Sequence, residues 1–118
     1  MTQKPKKYDL EERTANFGED VIKLCQKVPL NPITQPIVTQ LIKAATSVGA
    51  NYCEADDASS SRDFKHKISI VKKESRESKH FLRMLATAVP QLKTDIKPLL
   101  QEAKELNLIF NAIFRKLN

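Results

Sequence analysis

The side chains able to do chemistry are few in this chain, and their spacing argues against most of it. His66 and His80 are the only histidines, and fourteen residues is nearly four helical turns. That spacing sets them on a common side of a helix but about 21 Å apart, too far for one metal ion to span. Cys25 and Cys53 lack the CxxC or Cys/His spacing that zinc sites use. Serine or cysteine nucleophiles need a base within hydrogen-bond reach, and both histidines fall in a basic helical stretch with no evident pocket. Phosphate-cradling glycine loops are absent. The Glu-x-x-His pair of di-iron bundles is not repeated on paired helices. The sequence therefore predicts no catalytic residue, no metal site and no cofactor: a protein that is not an enzyme.

Cations offer a different chemistry. Phe64, Ile68, Val71, Ser75, Ser78, Leu82, Leu85 and Val89 recur at alternating steps of four and three, the seam of an amphipathic helix. One position after five of them stands a cation: Lys65, Lys72, Arg76, Lys79 and Arg83. One residue turns about 100° around a helix, so these five form a ridge along one border of the seam. Such a ridge could neutralise several phosphates of RNA or DNA without reading sequence. Only Phe64 and Phe81 could stack bases, and both lie on or beside the seam. The bland alternative is that the cations lay their stems over a buried seam and do nothing more.

A second constellation is polar. Ser47, Asn51 and Glu54 follow at steps of four and three on another helical segment, where Ala44, Ala45, Thr46, Gly49 and Ala50 also stand close together. Glycine inside a helix costs about 1 kcal/mol relative to alanine, so Gly49 predicts close approach of another helix. A carboxylate at Glu54 would need a partner if buried, with Lys67 and Lys73 as candidates. We read Ser47, Gly49, Asn51 and Glu54 as structural or subunit-contact residues.

Helices must position both sets. With 118 residues, 41% hydrophobic and only two glycines, the chain can bury a core but is poor in hairpin turns. The expected architecture is all-α, with helices near 10–28, 34–56, 62–88 and 95–117. Asp9, Asn31 or Thr34, one of Ser59 to Ser61, and Thr94 or Asp95 are the expected caps. The other seams are Leu10, Thr14, Phe17, Val21, Leu24 and Val28, widened by Ile22 and Cys25; Val38, Leu41, Ala45, Val48, Tyr52 and Ala55; and Leu99, Ala103, Leu106, Phe110, Ile113 and Leu117. Both cysteines read as small buried hydrophobes. Three short connections and one shared heptad period predict an antiparallel up-down-up-down four-helix bundle over residues 9–118. Residues 1–8 read as a disordered basic tail.

The net charge of +6 is unevenly spread: −4 over residues 9–20 and +5 over residues 58–89. No secretory leader or membrane span is legible, so a cytoplasmic location is the expectation and membrane is not an expected partner. Surplus apolar positions such as Leu108, together with Gly49, point to self-association.

Two stretches resemble a known family. Lys43-Ala44-Ala45-Thr46-Ser47-Val48-Gly49-Ala50-Asn51-Tyr52-Cys53-Glu54-Ala55 is similar to the signature of the bacterial four-helix-bundle proteins encoded in intervening sequences of 23S rRNA genes. So is Asp63-Phe64-Lys65-His66-Lys67-Ile68 with Lys73-Glu74 and Glu77. The chain departs from that pattern at Val71-Lys72, Ser75 and His80-Phe81, which makes the third helix more basic. The resemblance implies a homo-pentamer with no known enzymatic activity. A distant branch holds the accessory proteins of diversity-generating retroelements, pentameric and basic, which partner a reverse transcriptase and nucleic acid.

Two functions remain open at the level of sequence. One is a nucleic-acid-associated oligomer. The other is a protein-interaction scaffold whose basic face meets an acidic protein, or the acidic start of the first helix in a neighbouring subunit.

Overall fold

The computed structural model describes residues 9–117; the tail expected over residues 1–8 lies outside them. Four helices follow one another, α1 Leu10–Cys25, α2 Thr34–Asp56, α3 Ser61–Ala88 and α4 Lys93–Arg115, with a 3-10 turn at Pro90–Leu92 before α4. Among the described residues there is no strand.

Local chemistry sets the breaks. α1 ends at Cys25, three residues early, because the amides of Lys27 and Val28 bond the carbonyls of Leu24 and Cys25 in a tightened last turn. The next connection closes on itself. The Asn31 Oδ1 accepts from the amides of Ile33 and Thr34 at 2.8 and 2.9 Å. The Thr34 hydroxyl accepts from the Asn31 amide at 3.0 Å and donates to the Pro29 carbonyl at 2.7 Å. At α3, extended Ser60 accepts from the Asp63 amide at 3.1 Å, a regular serine cap. Neither Asp9 nor Thr94 nor Asp95 caps with its side chain. The 3-10 turn runs straight into Lys93 and so supplies the start of α4, while the Asp95 carboxylate reaches Lys27, just beyond α1, at 2.9 Å.

The seams converge on one core. Phe17, Leu41, Ile68, Leu82, Leu85, Leu106 and Phe110 are fully buried within it. Ile96 joins them unforeseen: it stands three residues before Leu99 and extends the α4 seam by one turn. Val38, Tyr52, Phe64, Leu99, Ile113 and Leu117 are only partly buried and pack at its margin. Two positions depart from expectation. Cys53 is exposed, and Ile22 is 38% exposed, because each is turned out of its seam towards a groove between α1 and α2. Cys25 is buried, and burial pushes its thiol up to about 11.

Neighbouring helices meet with indices running oppositely. Thr14 faces Gly49 while Gly18 faces Ala45 and Thr46. Glu54 pairs with Lys67, and Lys43 lies near Glu74. Asn107 reaches Lys72, and Phe114 reaches Lys65. The α1–α4 pair packs more thinly than α1–α2, α2–α3 or α3–α4, and ions hold that side: Arg13 to Glu102 and Glu105, Lys27 to Asp95.

Candidate functional site

The seam of α3 faces the core, and its cationic border comes to lie beside α4. Ile68, Val71, Ser75, Ser78, Leu82 and Leu85 are buried, which turns Lys72, Arg76 and Lys79 into the cleft between the two helices. That cleft, about 580 Å³, is lined by Ser69, Lys72, Lys73, Arg76, Lys79, Asn107 and Asn111. Lys79 also borders an adjoining cleft of about 510 Å³, where α4 contributes Lys97 and Lys104. Among the described residues no carboxylate lines either cleft.

The predicted ridge divides in three. Lys72, Arg76 and Lys79 belong to the cleft. Lys65 lies at one end, its Nζ 5.3 Å from the Phe114 ring centroid, while Lys72 stands over the same ring at 4.3 Å. Those distances are within cation–π range and hold both ammoniums towards α4. Arg83 is exposed further along α3 and lines neither cleft. Sequence reasoning missed Lys97, Lys104, Asn107 and Asn111, since a ridge read on one helix does not say what the next helix brings to it.

Most acids of these helices are engaged elsewhere, and Glu77 borders a neighbouring groove rather than the two clefts. Arg13 takes Glu102 at 2.7 and 2.8 Å and Glu105 at 2.9 Å. The Gln101 amide and Arg13 hold the Glu105 carboxyl below its usual range. Glu74 and Glu77 of α3 neighbour each other on another side, where burial and then Glu77 push the Glu74 carboxyl up. Glu77 does precede His80 by three residues, but their shared groove also holds Lys73 and Arg76. Among the described residues no three His, Cys, Asp or Glu side chains gather as metal ligands.

Asn107 ties the cleft floor together. Its Nδ2 donates to the Lys72 carbonyl at 2.9 Å and to the Ser75 hydroxyl at 3.2 Å, and that hydroxyl donates to the same carbonyl at 2.9 Å. The departure from the family pattern at Ser75 thus has a partner on α4.

The second predicted constellation is placed differently. Ser47 and Asn51 are half-buried, and the Asn51 amide donates back to the Ser47 carbonyl at 2.9 Å. Glu54 is exposed and pairs with Lys67, so this line is not a buried carboxylate network. Gly49 meets α1 of its own chain rather than open space. Together with Gly18 it forms the floor of the α1–α2 groove, whose rim carries Glu11, Glu12 and Glu19.

The match of a family model decides the affiliation: the model described as 23S rRNA-intervening sequence protein covers residues 6–112. The chain belongs to that family. A protein of unknown function from the S23 ribosomal protein family of Bacteroides thetaiotaomicron has a similar structure, with TM-score 0.75 and 24% identity over 88% of this chain and 96% of that one. That likeness concerns the fold. No curated protein matches the chain.

Proposed function

We propose that this protein is a non-catalytic, self-associating helical bundle of the cytoplasm that holds nucleic acid by its phosphate backbone. The opposed running of contacts between neighbouring helices supports an antiparallel up-down-up-down bundle, and the family resemblance suggests five subunits. Among the described residues no helix is long and apolar enough to cross a membrane.

One observation carries the reading: the cations of α3 are joined by Lys97 and Lys104 of α4 along clefts that no carboxylate lines among the described residues. Low local acidity leaves the cations free to neutralise phosphates, each contact adding about 0.9 to the slope of log affinity against log salt on duplex DNA. Several copies in one assembly would multiply a weak single-site affinity. The test is light scattering followed by RNA and DNA binding across a salt series. Arg76→Glu with Lys79→Glu should weaken binding on every sequence and flatten the salt slope, with mass unchanged. Absence of binding to either nucleic acid at low salt sinks the reading.

The acidic rim of the α1–α2 groove favours a second one. Glu11, Glu12 and Glu19 could receive the basic face of a neighbouring subunit or partner. The same charge reversals would then break the assembly, which light scattering would register as a lower mass.

A further inference from the structure

We infer that the α3–α4 cleft recognises the ribose 2′-hydroxyl through Asn111, and so prefers RNA to DNA. The inference rests on the proposed backbone binding and names its ligand more closely.

Hydrogen bonding fixes the asparagine orientations. The Asn107 Nδ2 faces the Lys72 carbonyl, which can only accept. Its Oδ1 must therefore face outward along α4, where the Asn111 Nδ2 donates to it at 3.2 Å. Asn111 lines the cleft with Lys72, Arg76 and Lys79, and with its Nδ2 engaged by Asn107 no hydrogen bond among the described residues takes up its Oδ1, an acceptor. A neutral acceptor among cations is useless to a bare anion, whose oxygens it would repel. It suits a ligand that carries a hydroxyl donor beside each phosphodiester. In a nucleic-acid backbone that donor is the 2′-hydroxyl, which DNA lacks. Base amines could also donate, but they would make binding depend on sequence.

Oligouridine and oligodeoxyuridine of equal length differ at the sugar without changing the base-pairing edge. The full-length protein should bind oligouridine about three- to tenfold more tightly, the worth of one neutral hydrogen bond. 2′-O-methyl oligouridine, which has lost the donor, should bind like the deoxy strand. Asn111→Ala should remove the RNA preference, so that the ribo and deoxy strands bind alike, with the melting temperature unchanged. Equal affinity of the wild-type protein for the ribo, deoxy and 2′-O-methyl strands overturns the inference and leaves backbone binding standing. Failure to bind any of them overturns both. The wild-type comparison needs no variant to fold.

Discussion

Gly49 of α2 lies against Thr14 of α1: a Cβ at Gly49 would stand 3.4 Å from the carbonyl carbon, the carbonyl oxygen and the Oγ1 of Thr14. Thr14 is fully buried, and its hydroxyl donates into its own helix at Leu10, 2.7 Å away, so the crossing leaves no orphaned polar group. Alanine at position 49 would make contact at the edge of the ordinary van der Waals range and regain about 1 kcal/mol of helix propensity. Gly49→Ala should therefore be near neutral in urea unfolding. Gly49→Leu must push its branch into the α1 backbone and should destabilise by about 1–3 kcal/mol through overpacking. If both melt alike, the crossing is looser than the geometry states.

Leu82 of α3 and Phe110 of α4 are both fully buried in the shared core. Truncation at either leaves a cavity that rigid helices cannot close. Leu82→Ala should cost about 2–5 kcal/mol and Phe110→Ala about 3–5 kcal/mol in chemical denaturation. An unchanged unfolding midpoint for either would show that its seam does not face the core.

Seams were legible because helical period alone decides which side is buried: every position read on the α3 seam except Phe64 is buried. Caps were less legible. Asp95 has the right residue type and place for a cap, yet its carboxylate goes to Lys27, a long-range partner that no local pattern announces. The basic site was half visible. Lys72, Arg76 and Lys79 follow from one helix, but Lys104 and Asn111 belong to the site only because α4 runs beside α3. The polar line on α2 was half visible too: Lys67, a candidate partner for Glu54, does pair with it, but spacing on α2 alone does not say that the pair stands at the surface.

The α1–α4 side should respond to acid. The Glu105 carboxyl is held below its ordinary value by Gln101 and Arg13, so its contribution to stability is present above the ordinary carboxylate range. That contribution fades as pH falls through the lowered value. Glu105→Gln should remove this part of the pH dependence, flattening stability measured by urea unfolding between neutral and acidic pH. Arg13→Met should remove only part of it, since Gln101 still holds Glu105, and cost about 1 kcal/mol at neutral pH by releasing the half-buried Glu102. A wild-type acid profile in both variants would show that these ion pairs do not persist in solution.

The two α4 lysines provide the sharpest check on where nucleic acid lies. If binding follows the ridge of α3 alone, Lys97 and Lys104 are bystanders. If it follows the clefts, they stand along the same track as Lys79. Lys97→Glu with Lys104→Glu should then weaken RNA and DNA binding to about the extent of reversal at Arg76 and Lys79, and lower the salt slope by about 0.7–0.9 for each lost phosphate contact. Lys23→Glu on α1 changes charge at an exposed position outside both clefts and is the control for net charge alone. A shared loss in all three variants would trace to overall charge. A loss confined to the α3 pair would move the path off α4 and onto the outer face of α3.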